Sequence, residues 1–123
     1  MRVFLVDDSL LVRVRLAKML QDLWQVEKVI EAGTVAEARG LLPDSNADVV
    51  IVDMRLPDGD GLEVLRAAKR MQPTPAVIVL TNYAYDQLRA TCLEAGADEF
   101  LDKRTEFERL PAIVTELGRR TVH

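Results

Sequence analysis

The chain has 123 residues, 49% of them hydrophobic and 29% charged, with a formal net charge of -4 and a single cysteine. One domain of ~100–150 residues with its own core is expected, and a disordered chain is excluded. Also excluded are a disulfide framework, a zinc site built on cysteines, and a membrane helix, which needs ~18 apolar residues in a row. The acidic balance argues against nucleic acid as a direct ligand, since phosphate binding needs a basic face. Met1 leads at once into an apparent core strand, so no signal peptide is expected and the setting is read as cytoplasmic.

In chain order, Val3-Phe4-Leu5-Val6 is the first apolar run. Ser9 is a plausible N-cap for a helix carrying Val12, Leu16, Met19, Leu20 and Leu23 on one stripe. Trp24 is expected to pack at its end. Val26 to Ala32 is a weaker, more polar strand. Thr34 with Glu37 fits a capping box that opens a short helix through Leu42, ended by Pro43. Val49 to Val52 is the third strand and Gly61 to Met71 the third helix. Val77 to Leu80 is the fourth strand, followed by a helix from Ala84 to Ala95 with Gly96 as its left-handed C-cap. Asp98 to Leu101 is the fifth strand. Leu110, Ile113, Val114 and Leu117 form the stripe of a last helix, which Pro111 confines to a start near Glu108. The three strong runs are β-branched with no polar alternation, as in strands buried on both faces. Five βα units imply a parallel sheet with helices on both faces.

Ligands of open α/β sheets bind beyond the carboxyl ends of the strands. There the sequence sets Asp7-Asp8 after the first strand, Asp53 after the third, Thr81 at the end of the fourth and Lys103 after the fifth. Three carboxylates against one ammonium leave two surplus negative charges. Two carboxylates ~4 Å apart repel by roughly 4 kcal/mol at an effective dielectric near 20. A divalent cation would cancel the surplus, and hard oxygen ligands favour Mg²⁺, which keeps waters and shares its sphere with phosphate. A carboxylate can attack a phosphoryl group to form an aspartyl phosphate, with metal, ammonium and hydroxyl holding the phosphoryl oxygens.

At these residues the chain resembles the receiver domain of bacterial two-component response regulators, the CheY-like family. The resemblance runs through Leu5-Val6-Asp7-Asp8, Val52-Asp53-Met54-Arg55-Leu56-Pro57 to Gly61, Leu80-Thr81, Ala95-Gly96-Ala97-Asp98 and Phe100-Leu101-Asp102-Lys103, and covers essentially residues 1–123 as one domain. It implies a flavodoxin-like α/β fold, a doubly wound five-stranded parallel sheet in the order 2-1-3-4-5. It implies Asp53 as phosphoacceptor and Asp8 as a direct Mg²⁺ ligand. Asp7 would ligate through water, and the Arg55 backbone carbonyl directly. Lys103 and Thr81 would hold phosphoryl oxygens, and Phe100, with Thr81, would be the switch residue, turning inward when the threonine moves. The partner implied is a sensor histidine kinase or phosphotransfer protein. The domain would catalyse its own phosphorylation and dephosphorylation without being a metabolic enzyme.

Three positions depart from the family pattern. Arg104 stands where many receivers have a proline after a cis bond. A cis non-proline bond costs ~2.5–4 kcal/mol, so a trans bond and a reshaped loop are expected. Asn82 replaces a very small residue, and Phe100 lacks a tyrosine hydroxyl. In this family the places of Arg55 and Tyr83 border the phosphoryl group, and Tyr83, with Arg55 over its ring, is expected to hinder attacking water. Tyr85, Leu88, Phe100 and Leu110 are candidates for a signalling face of fourth helix, fifth strand and last helix, which is also the candidate homodimer surface; core packing is favoured for Leu88 and Leu110. Cys92 is expected to be a buried small hydrophobe. Arg119-Arg120 is a charged helix end, and the terminal His123 is not a phosphoacceptor candidate. Two rivals stand beside this account. An aspartate-nucleophile phosphatase would need a second acid just after Asp53, where Met54 and Arg55 follow. A phosphorylation-independent pseudo-receiver is opposed by the intact Asp8, Asp53, Thr81 and Lys103.

Overall fold

The computed structural model describes residues 1–121, so His123 lies outside the described residues. Strands β1 (Arg2–Val6), β2 (Lys28–Ala32), β3 (Val49–Val52), β4 (Ala76–Thr81) and β5 (Glu99–Asp102) alternate with helices α1 (Leu10–Gln21), α2 (Val35–Leu41), α3 (Gly61–Lys69), α4 (Asp86–Glu94) and α5 (Leu110–Thr121). These five strands form one sheet, paired parallel throughout in the order β2-β1-β3-β4-β5. This is the flavodoxin-like doubly wound sheet. No helix among the described residues is long and apolar enough to cross a membrane.

Alternation along each strand feeds two cores. Phe4, Val6, Val50, Val52, Val77, Val79 and Phe100 pack with residues of α2, α3 and α4 on one face. Val3, Leu5, Val49, Ile51, Ile78, Leu80 and Leu101 pack with residues of α1 and α5 on the other. Both faces are covered, which is why the central strands carry no polar alternation.

Caps settle where the helices begin. Ser9 Oγ accepts from Val12 N, and Thr34 Oγ1 accepts from Glu37 N. The Glu37 carboxylate reaches back to Gly33 N at 3.2 Å, one residue before the expected position. Pro43 falls inside a 3-10 turn, Leu42–Asp44, that ends α2. A second such turn, Phe107–Arg109, precedes α5, so Pro111 sits in the first turn, where its missing N–H costs nothing. Gly96 has φ +106°, the left-handed cap the turn requires.

Several expectations need correction: α3 ends at Lys69 rather than Met71, α4 spans Asp86–Glu94 rather than 84–95, and Leu23 lies beyond α1. Trp24 does not pack; α1 stops at Gln21 and the indole is 89% exposed. The second strand starts at Lys28 rather than Val26, and the fifth runs from Glu99 to Asp102. A two-residue antiparallel ribbon, Arg55–Leu56 with Gly59–Asp60, follows β3 and has no counterpart in the sequence pattern.

Candidate functional site

Register brings the acids together. Val6 pairs with Val52, and Asp53 N donates to Val6 O at 2.9 Å, so Asp7 and Asp53 leave adjacent strands side by side. Asp7, Asp8 and Asp53 each offer a carboxylate oxygen, all within 4.8 Å of one another. Asp7 and Asp53 are buried and Asp8 is exposed. Lys103, carried by the loop after β5, sets Nζ between two of them, 2.6 Å from Asp7 Oδ2 and 2.8 Å from Asp53 Oδ2. Burial alone would lower the Lys103 pKa, but the hydrogen bonds and charges of Asp53 and Asp7 outweigh it and hold the ammonium above its ordinary value. These groups line a hollow of about 420 Å³ together with Ser9, Val12, Arg55, Leu56, Pro57, Asn82 and Tyr83.

The backbone around Asp53 is tightly seated. Gly61 N donates to Met54 O at 2.8 Å, and a Cβ on Gly61 would lie 2.0 Å from the Asp53 carbonyl oxygen. Arg55 N approaches Asp53 Oδ1 at 3.5 Å, while its guanidinium lies over the Tyr83 ring, 4.2 Å from the centroid. The stack expected from the sequence is therefore present, at the rim of the hollow.

Two of the expected residues stand back from the acids. Thr81 is fully buried and its hydroxyl accepts from Tyr83 N at 3.2 Å. Phe100 is in the inward position, 3% exposed, with the Arg89 guanidinium 4.9 Å above its ring. Leu110 is core and Leu88 half-buried, which leaves Tyr85 as the exposed member of the four residues named for the signalling face.

The loop after Lys103 replaces the familiar proline by hydrogen bonds. Gln72–Pro73 is the cis bond among the described residues, so Lys103–Arg104 is trans. Arg104 N donates to Asp102 Oδ1 at 2.9 Å and its guanidinium reaches the same carboxylate, which holds the Asp102 pKa low. Glu106 accepts from Asp102 N at 3.0 Å and closes the turn.

Cys92 is buried, with Sγ 3.5 Å from Met54 Sδ, and burial pushes its thiol up to about 11. It is the small hydrophobe expected. Arg13 and Asp58 have no functional assignment in the sequence, yet Arg13 donates to the Asp7 carbonyl and Asp58, in the loop that follows Asp53, holds the first turn of α2. Nothing in local pattern marks them, because their partners stand on other elements.

The pattern of the family described as response regulator receiver domain matches residues 3–115. The chain belongs to that family. It is 36% identical over 117 residues to the DNA-binding transcriptional activator DevR/DosR of Mycobacterium tuberculosis, covering 95% of this chain and 54% of that protein. A protein-glutamate methylesterase/protein-glutamine glutaminase of Alkalilimnicola ehrlichii is 36% identical over 105 residues, covering 84% of this chain and 27% of that protein. The non-phosphorylated HemR receiver domain from Leptospira biflexa superposes with a TM-score of 0.85 at 27% identity, covering 95% of this chain and 93% of that one. The chain thus spans about half, or less, of the curated relatives it matches. It is a receiver domain of the two-component response regulators, attached in those relatives to further chain.

Proposed function

We propose that residues 1–123 form one receiver domain that takes a phosphoryl group onto Asp53 in a Mg²⁺-dependent step and uses it as a conformational switch. The observation that supports this most is the triad of Asp7, Asp8 and Asp53 around Lys103. Three hard oxygen donors, one of them open to solvent, suit an ion that keeps part of its water. Asp7, Asp8, Asp53 and the Arg55 carbonyl would hold it. Bound there, Mg²⁺ would offset the surplus negative charge and polarise the phosphoryl oxygens.

A carboxylate oxygen of Asp53 attacks the phosphorus of a donor phosphohistidine. The P–O bond forms as the P–N bond breaks, and the imidazole leaves with the bonding pair and takes a proton from water. Lys103 trades its contact with Asp53 Oδ2 for a phosphoryl oxygen. Thr81 turns its hydroxyl toward another, leaving Tyr83 N, beside a Phe100 that is already inward. Phosphorylation then favours one of two arrangements by these added contacts. The Arg55–Tyr83 stack shields the phosphoryl group from water and lengthens its life. Leu10, Leu11 and Val14, exposed on α1 just after Asp8 and Ser9, form an apolar shoulder suited to a docking kinase or phosphotransfer protein. The reading carries a homodimer through α4, β5 and α5, whose hollow at Asp98, Glu99, Arg109 and Glu116 offers both charge signs. It also carries a cytoplasmic setting, where kinase donors draw on ATP.

Acetyl phosphate with Mg²⁺ should add one acid-labile phosphate per chain, read by mass spectrometry, and Asp53→Asn should add none. Equal labelling of Asp53→Asn, or labelling that survives EDTA, would overturn the assignment.

A further inference from the structure

The two loops that carry the acids are tied, from outside the hollow, to one place. Arg13 on α1 is mostly buried, 17% exposed. Its Nη1 donates to the Asp7 carbonyl oxygen, and its Nε contacts Glu31 Oε1 on β2 at 3.3 Å. Asp58, in the loop after β3, accepts from Val35 N at 2.7 Å and from Ala36 N at 3.0 Å, the first residues of α2. Those two N–H groups have no partner inside the helix, so the carboxylate satisfies them. Between these anchors, Gly33 N donates to the Glu37 carboxylate. A Cβ on Gly33 would lie 2.8 Å from Arg13 Nη1, so a side chain there displaces the guanidinium.

The sheet order gives these ties their meaning. β1 lies between β2 and β3, so Asp58 reaches from the β3 side of the hollow to the β2 side, while Arg13 joins the end of β1 to β2. Neither Arg13 nor Asp58 lines the hollow. We infer that Arg13 and Asp58 are positioning residues: through one shared brace, the corner of residues 31–37, they set the gap between the loop bearing Asp7 and Asp8 and the loop bearing Asp53. The inference rests on the Mg²⁺ reading above for its functional consequence. Ligands drawn from two loops bind an ion only at the spacing that suits it, and groups behind the ligands commonly change affinity by 10–100-fold. A loosened corner therefore weakens ion binding without removing any ligand.

The test uses the whole chain as wild type, Arg13→Gln, Asp58→Ala and Asp58→Asn. Amide hydrogen exchange is followed by NMR without metal, and Mn²⁺, standing in for Mg²⁺, is titrated by electron paramagnetic resonance. The expected result is a Kd for Mn²⁺ raised about tenfold in Arg13→Gln and Asp58→Ala, and raised less in Asp58→Asn, which keeps an acceptor. Exchange should quicken about fivefold across the brace as well as beside it: at residues 53–56 in Arg13→Gln and at residues 8–9 in Asp58→Ala. A purely local contact would quicken its own loop alone. Exchange changes confined to the mutated loop, or an unchanged Kd in both variants, would overturn the inference. If wild type binds no Mn²⁺, the metal reading fails and cross-loop exchange decides the brace by itself. Should Arg13→Gln not fold, Gly33→Ala replaces it, because the added methyl pushes the guanidinium from Asp7.

Discussion

Two hollows lie at opposite ends of the same sheet and differ little in size, about 420 Å³ at the carboxyl ends and about 370 Å³ at the amino ends. The first gathers Asp7, Asp8, Asp53 and Lys103 from three different strand ends. The second is lined by Met1, Trp24, Gln25, Thr115, Gly118 and Arg119, where the terminal ammonium donates to the Gln25 carbonyl and Thr115 Oγ1 to the Pro111 carbonyl. Volume does not separate them. What separates them is convergence of charge: parallel strands all end on the same side, so residues far apart in sequence meet at the carboxyl edge. The amino edge receives what the helices deliver, an exposed indole and a helix terminus.

Removing the cation should break this contrast most. Lys103→Met leaves Asp7 and Asp53 buried and unpaired, and urea unfolding at pH 7 should show a loss of about 3 kcal/mol, the low end for breaking a buried pair. Adding Mg²⁺ should recover part of it. The sign with pH follows from the raised Lys103 pKa: its contribution is intact below the ordinary 10.5 and is lost as pH climbs through the raised value. The gap between wild type and Lys103→Met should therefore stay level from pH 7 to 10 and close above that.

Gly61→Ala should come next. Its methyl meets the Asp53 carbonyl and forces the backbone aside, costing about 2 kcal/mol in the same unfolding measurement and slowing acetyl phosphate labelling. Tyr83→Ala removes the ring beneath Arg55. Decay of the phosphorylated form should quicken about two- to fivefold, in line with the ~0.5–1 kcal/mol of an exposed cation–π contact; an unchanged rate would remove the stack from the account. Trp24→Ala, in the opposite hollow, should shift stability by less than ~0.5 kcal/mol and leave labelling untouched. A large effect there would mean that the amino edge takes part in the switch.

The fold was legible because its signals are local. Apolar β-branched runs, Ser9 and Thr34 as caps, Pro111 and Gly96 are each set by a residue's own conformational limits. The acids were legible because strand ends are predictable once strands are, and parallel topology then dictates that they meet. The exposure of Trp24 is not legible for the converse reason: large aromatics are usually buried, but whether one is depends on where the helix stops and what faces it. Phe100 beneath Arg89 was equally out of reach, since the cation comes from another element.

Side-chain chemistry and near-neighbour periodicity, both written along the chain, account for the order of elements, the two-sided burial of the sheet and the identity of the groups at its carboxyl edge. Folding alone sets Lys103 between Asp7 and Asp53, presses Gly61 on the Asp53 backbone, brings Arg13 to the Asp7 carbonyl and seats Asp58 on the first turn of α2. Those contacts join residues from different elements at distances of a few ångströms, and no pattern along a chain records such spacing before the chain has folded.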